Sequence, residues 1–287
     1  VNALLSDRLS VPQAAWVQQR MPDAVIVRDM SWHLVASIVL HVRGSLGGET
    51  IDAVVKAGDL TNHHIAREIA AHTRWTHDLV STQHSARLID ADSDERVMLF
   101  EFLPGALVEA TNAEGETGTY TQAGALLRRL HSQDRRMDAE HEARANARAI
   151  QWLDGEHRVT PAIATRARGI LADDPAPPVE VVPTHGDWQP RNWLIHDGVV
   201  RVIDFGRFAF RPPSTDLLRL AAQQWRGRPD LESAFFEAYG PDPREPDRSR
   251  ISALREAVGT ACWAYHVGEE RFEAQGHRML AEALRAF

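Results

Sequence analysis

The chain has a single cysteine, Cys262, in 287 residues, which rules out an intramolecular disulfide and any cysteine-built metal site. It has no run of about 18 consecutive apolar residues, so no membrane-crossing helix is expected. Its first residues, Val1 to Asp7, lack the basic start and apolar core of a secretory signal. These absences predict a protein of the reducing cytoplasm. Basic residues are in the minority, 32 Lys and Arg against 40 Asp and Glu, for a net charge of −8. That balance disfavours nucleic acid, which a basic face attracts, and suits a cationic small molecule, which a negative cleft steers inward. Several catalytic signatures are also missing. There is no Gly-Lys-Ser/Thr phosphate loop; Gly44-Ser45-Leu46-Gly47-Gly48-Glu49 is glycine-rich but runs into a strand and reads as a hairpin turn. No His-Glu-x-x-His occurs among the fourteen histidines, and adjacent His63 and His64 would point about 100° apart on a helix, which disfavours a metallohydrolase.

What the chain does have is concentrated in one stretch. His185-Gly186-Asp187-Trp188-Gln189-Pro190-Arg191-Asn192 is followed by Val202-Ile203-Asp204-Phe205-Gly206. Trp193–His196 and Val199–Ile203 read as apolar strands joined by Asp197-Gly198, a strong signal for a tight hairpin. That hairpin would return Asp204 to the side of Asn192. Phosphoryl transfer from a nucleotide needs such groups: one carboxylate to orient a hydroxyl and take its proton, and an amide oxygen with a second carboxylate to hold Mg²⁺. Asp187 is the candidate base, and Asn192 and Asp204 are the candidate metal ligands.

This segment resembles the Brenner motif and the magnesium-binding Asp of the aminoglycoside phosphotransferase and choline kinase families, small-molecule kinases that share the protein-kinase fold. The resemblance implies an α+β, bilobal fold: a small β-rich N-lobe over residues 1–102, a larger helical C-lobe over 103–287, and the nucleotide in the cleft. The earlier sequence fits that order. Ala24–Arg28, Leu34–Arg43 and Thr50–Lys56 alternate as strands do. Lys56 ends the third, where the family's phosphate-gripping lysine belongs, although a strand-end lysine can also simply reach solvent. A helix follows, capped by Thr61 or Asn62, with Ile65, Ile69, His72 and Thr76 along one side. Glu68 on it is the expected partner of Lys56, whereas Glu49 precedes the lysine and cannot fill that role. Leu88–Asp90 and Val97–Phe102 read as a second hairpin, and Glu101, Phe102 and Leu103 occupy the position of the adenine-binding hinge.

From Tyr120 onward the pattern is helical. His131 reads as a packed, hydrogen-bonded histidine, and helices are expected around 144–153 and 162–171, the latter broken by Asp173-Asp174-Pro175-Ala176-Pro177-Pro178. Asp216 is expected to cap the next helix and brace the catalytic loop. Further helices are expected over 253–269 and 276–286. There Trp263, Tyr265, Glu269 and Glu270 are candidates for an acceptor wall, or equally a core pair beside a solvated acidic face. Two departures from the family pattern stand out. No glycine lies between Arg28 and Val39, where a loop covers the nucleotide, only Met30-Ser31-Trp32-His33 and apolar residues; glycine usually eases that close approach. Arg191 stands before the metal Asn, where the family often has glycine.

The resemblance implies a kinase that uses Mg²⁺ and ATP or GTP to phosphorylate a hydroxylated, cationic small molecule, most directly an aminoglycoside-like antibiotic. Choline, homoserine and amino-sugar kinases share the same motifs. A protein kinase is disfavoured, because nine residues separate Gly206 from Asp216 and no Ala-Pro-Glu anchor appears. A pseudokinase is disfavoured by the presence of Lys56, Asp187, Asn192 and Asp204 together.

Overall fold

The computed structural model describes residues 4–32 and 37–287. Val1–Ala3, His33 of the glycine-free loop and the predicted strand start Leu34–Ala36 lie outside them. Two compact units are present: Val1–Leu130 with His185–Ala209, and His131–Thr184 with Phe210–Phe287. These units follow packing, whereas the boundary expected at 102/103 rests on the roles that the resemblance implies. No helix among the described residues is long and apolar enough to cross a membrane.

The first unit is built on a five-stranded antiparallel sheet. Helix α1 (Val11–Arg20) precedes strands β1 (Val25–Asp29), β2 (Ile38–Leu46) and β3 (Glu49–Ala57). Then come helices α2 (His63–Arg74) and α3 (His77–Ser81), and strands β4 (Leu88–Asp92) and β5 (Val97–Glu101). The strand order is β1-β2-β3-β5-β4. The period of two sorts its residues. Ala53, Val55 and Ala57 of β3 join Leu40, Val42, Val97 and Leu99 against Trp16 and Val17 of α1 and Met21 just after it. Met98 and Phe100 face the other way, onto Ile65 of α2. Lys56, between Val55 and Ala57, therefore emerges on the α2 side. Helix α1 adds to the elements expected from the sequence, although its signals are there: Ser10 and Gln13 form a capping box, and Pro12 sits in the first turn. The Gln13 amide also donates to Gly58 O and Glu95 O, both at 2.8 Å, tying α1 to the sheet.

After β6 (Ala106–Leu107) the chain enters α4 (Thr117–His131), and later returns to this unit as a hairpin. In the second unit, β7 (Arg136–Asp138), helices α5 (His141–Asp154) and α6 (Pro161–Asp173), and β8 (Val179–Thr184) come before that return. The hairpin is β9 (Trp193–His196) and β10 (Val199–Val202), and β9 also pairs with β6. Its turn residues Asp197 and Gly198 have φ of 48° and 76°, the left-handed pair that matches strand twist.

A short strand β11 (Ala209–Arg211) pairs with β8, and the rest of the second unit is helical: α7 (Leu218–Ala222), α8 (Pro229–Tyr239), α9 (Pro246–Val267) and α10 (Glu270–Leu284). Both α9 and α10 begin some six or seven residues earlier than the sequence pattern indicates. Their polar first turns lack the apolar spacing that marks a helix interior, and Pro246 supplies the start of α9. The core of this unit joins α5, α6, α9 and α10. It also encloses charge: Arg248 and Arg255 of α9 bond Glu142 of α5 and Asp174 after α6. The helix cap expected of Asp216 is a correction. The helix after it has Leu217 at its N-cap and no side-chain cap bond. Asp216 instead lies in a 3₁₀ turn, where it meets the His131 ring at 3.0 Å; the other nitrogen of that ring meets the Tyr239 hydroxyl at 2.9 Å.

Helices α9 and α10 touch at Gly276, where an added Cβ would lie 2.5 Å from the Ala261 backbone. Gly276→Ala should therefore destabilise the protein by about 1–3 kcal/mol through overpacking, read as a lowered midpoint in denaturant unfolding. A midpoint at or above wild type would show that the helices separate without cost.

Candidate active site

Lys56 is buried at the end of β3, and its ammonium is shared between two carboxylates: Glu68 Oε2 at 2.5 Å and Asp204 Oδ1 at 2.8 Å. Glu68 sits one helical turn beyond Ile65 on the sheet-facing side of α2, held there by the Asn62 cap, whose side chain accepts from the His64 amide. Its other oxygen accepts from the Phe205 amide at 3.2 Å. Asp204 follows β10 in a left-handed conformation, φ 65°, which turns its carboxylate toward Lys56. Gly206 accommodates that turn, since a Cβ there would lie 3.1 Å from Asp204 Oδ1 and 3.2 Å from His64 Cβ.

Burial alone would push Lys56 toward neutrality, yet the two carboxylates hold its pKa well above the ordinary lysine value. Crowding disfavours charge on Asp204, but the Lys56 ammonium outweighs it and holds the carboxyl at about 2. Glu68 shifts the other way: burial raises its pKa, the Asp204 charge adds to the rise, and Lys56 offsets only part of it. One cation against two carboxylates leaves the cluster a negative charge. Half of the Asp204 side chain is open to solvent, and its Oδ2 has no hydrogen-bond partner among the described residues.

The turn after β8 carries Asp187, which is buried. Its amide donates to His185 Nδ1 at 3.2 Å, while His185 Nε2 reaches Ile203 O at 3.0 Å, an arrangement that suits the Nε2–H tautomer. His185 thereby straps the Asp187 turn to the strand end leading into Asp204. The Asp187 carboxylate accepts from the Gln189 amide on one oxygen and from Arg191 Nη2 at 2.7 Å on the other. A 3₁₀ turn over Pro190–Asn192 brings Asn192 round, so that its Nδ2 donates to Asp187 O at 2.8 Å. The Ile203 amide donates to Asn192 O at 3.0 Å. That bond sets Asn192 beside the residue preceding Asp204, with the Asn192 side-chain oxygen unpartnered among the described residues. Two oxygens, Asn192 Oδ1 and Asp204 Oδ2, next to a negative cluster form a donor set suited to a hard cation that keeps waters and phosphate oxygens as its other ligands. No cluster of three or more metal-binding side chains occurs among the described residues.

The sequence motif carries no hint of the bonds from Gln189 and Arg191 to Asp187. Both side chains reach back along one short turn, a geometry that only the folded loop creates. Of the hinge residues, Glu101 pairs with Arg87, and Phe102 stacks on His41 with ring centroids 4.2 Å apart. The Glu101 and Phe102 amides donate to Arg87 O and Asp52 O. Glu101, Phe102 and Leu103 also line a cavity of 230 Å³ with Val80, Arg87 and Arg201, a space that neither Lys56 nor Asp187 borders. In the second unit, Trp263 meets Phe272 edge-on across the α9–α10 turn. Glu269 caps α10 through the Arg271 amide, and Glu270 is exposed in the first helical turn.

Residues 50–254 match the phosphotransferase enzyme family, APH. The chain belongs to this family. It is therefore a phosphotransferase with an alcohol group as acceptor, of the aminoglycoside phosphotransferase and choline kinase type. Its fold is that of solved kinases at low identity. The macrolide 2′-phosphotransferase MphH of Brachybacterium faecium is 18% identical, with a TM-score of 0.59, over 96% of this chain and 98% of that one. The choline kinase LicA of Streptococcus pneumoniae is 12% identical, with a TM-score of 0.65, over 98% and 100%. The spectinomycin phosphotransferase APH(9)-Ia, solved with ADP and spectinomycin, is 10% identical, with a TM-score of 0.58, over 92% and 93%. No curated protein matches the chain by sequence.

Behind the Lys56 cluster, His72 is buried edge-on against Phe100 and Phe205. Burial, reinforced by the charge of Lys56, pushes its pKa down to about 3. Between the ordinary value of 6.5 and about 3, the unfolded chain binds a proton here that the folded protein does not. Stability should accordingly fall as the pH drops below 6.5, by up to ~1.4 kcal/mol per pH unit from this group. His72→Leu should remove that component. Denaturant unfolding of both proteins at pH 7.5, 6 and 5 checks it, and parallel pH dependences would refute it.

Proposed function

We propose that the chain is a resistance phosphotransferase that moves the γ-phosphoryl group of ATP or GTP to a hydroxyl of a cationic antibiotic of aminoglycoside or related type. The observation that carries the kinase part is Lys56 shared between Glu68 and Asp204, beside a turn that presents Asp187 and Asn192. In this reading residues 1–102 form the nucleotide lobe and 103–287 the catalytic and acceptor lobe, working in the cytoplasm where nucleotide and Mg²⁺ are abundant. Lys56, held by Glu68, binds the α- and β-phosphates. The hinge supplies backbone groups to the base, and the Leu103 amide, which has no partner among the described residues, is the available donor. Asn192 and Asp204 hold Mg²⁺, which when bound neutralises phosphate charge.

Asp187 orients the acceptor hydroxyl. As the hydroxyl oxygen bonds to the γ-phosphorus, the bond from that phosphorus to the β–γ bridging oxygen breaks, the nucleoside diphosphate leaves, and the hydroxyl proton passes to Asp187. For the acceptor, family membership and the net negative charge support a cation. Trp263 with Glu269 and Glu270 is the surface proposed to meet it.

Asp187→Asn should lower turnover by about 10²–10⁴-fold while nucleotide affinity stays near that of wild type. Asp204→Ala should abolish Mg²⁺-dependent turnover. The assay is nucleotide consumption against aminoglycosides, macrolides, cationic peptide antibiotics, choline, homoserine and amino sugars. Turnover on a metabolite alone would keep the mechanism and replace the acceptor. Full activity in either mutant would sink the site assignment, and nucleotide binding without turnover on any acceptor would favour a pseudokinase.

A further inference from the structure

Two features of the sequence that set it apart from its family meet in the first unit. The connection from β1 to β2 contains no glycine, and Arg191 precedes Asn192. The base of that connection is closed by the Met30 amide donating to Val39 O at 2.8 Å and the Val39 amide to Ser31 Oγ at 3.0 Å. This places Trp32, one residue beyond, with its ring centroid 5.3 Å from the Arg191 guanidinium carbon. The same guanidinium donates from Nη2 to Asp187 Oδ2 at 2.7 Å. An aromatic face on one side and a buried carboxylate on another fix a planar cation that would otherwise be mobile. Its remaining N–H groups have no hydrogen-bond partner among the described residues, and its side chain is 20% exposed.

We infer that Arg191 is a γ-phosphate ligand. The inference rests on the kinase reading above. In that reading Asp187 touches the acceptor hydroxyl, so a guanidinium bonded to Asp187 lies within one residue's reach of the phosphoryl group in transfer. Lys56 serves the other end of the triphosphate. Glycine loops hold phosphates by close approach of backbone amides, which glycine eases, and the sequence of this connection has no glycine. A guanidinium carries five N–H donors in a fixed fork, so it can bond Asp187 with one edge and phosphate oxygens with another. Trp32 thus acts as the seat of the arginine rather than as a lid on the nucleotide.

The test is calorimetric titration with β,γ-imido-ATP and ADP, and with their guanine counterparts, in the presence of Mg²⁺. A γ-phosphate ligand predicts that Arg191→Gln weakens the triphosphate roughly ten- to a hundredfold, the range for a bond to a charged group, and the diphosphate by less than about twofold. Arg191→Lys should recover part of the loss, and Trp32→Ala should shift triphosphate affinity in the same direction by less. A merely structural arginine would weaken both nucleotides together. Equal loss for both, or no loss for either, overturns the inference while wild-type nucleotide binding leaves the kinase reading intact. Failure of wild type to bind any of the four overturns both.

Discussion

The sharing of one buried ammonium between Glu68 and Asp204 is the constraint on which the first unit depends. Taking Lys56 out of water costs several kcal/mol, and that cost is offset only if two carboxylates arrive from separate parts of the chain with good geometry. One comes from α2, which the Met98 and Phe100 face of the sheet holds in place. The other comes from the segment after β10, more than a hundred residues later. Asp204 reaches it by adopting a left-handed backbone, a conformation that Asp tolerates better than most residues and that the Lys56 bond over-determines. Remove Lys56 and two carboxylates are left close together without a cation, whereas loss of either carboxylate leaves the ammonium with one partner in place of two. The strand alternation, the Asn62 cap and the tight Asp197-Gly198 turn all serve to deliver these groups to one point.

The two aspartates of the site differ because their partners differ. Asp204 has one oxygen on a lysine and a second with no partner among the described residues, so it stays ionised and keeps a lone-pair face for a cation. Asp187 has both oxygens engaged, by Gln189 and by Arg191. A carboxylate so held has a fixed direction, which is what orientation of a hydroxyl requires. Arg191 makes that direction depend on what else the guanidinium touches. On the proposed reading, base and phosphate recognition are coupled through this one side chain, where a glycine at the same position would leave them separate.

Much of this arrangement is legible in the order of the residues. Asp187, Asn192 and Asp204 lie within eighteen residues of each other, and a two-residue turn of unmistakable composition sets their relation. Lys56 and Glu68 are reached through the resemblance to the family, with a strand that ends in lysine and a helix that follows it as the local signs. What the sequence hides depends on contacts between distant segments or on competition between partners. Asp216 has the look of a helix cap because Asp often is one, and the His131 ring takes it instead. The starts of α9 and α10 escape the apolar pattern because their first turns are polar. Helix α1 is a different case: Ser10 and Gln13 spell out its capping box, so its signal is local and present in the chain.

The second unit is the less legible half for a physical reason. Its frame is set by buried positions that carry no distinctive motif: apolar residues on four helices, the close approach of Gly276 to Ala261, and the charge network of Glu142, Asp174, Arg248 and Arg255. That network is nearly neutral and fully cross-bonded, so it fixes how α5 and α9 align without presenting charge to a ligand. Residues at the α9–α10 turn carry little of that frame. Glu270 is exposed, and Glu269 contributes only a cap. Side chains there can change without loosening the helices, which is what the acceptor surface proposed at this turn requires. On that reading the energy that specifies this fold and the groups that would choose its substrate reside in different residues, and patterns of burial can reveal only the first.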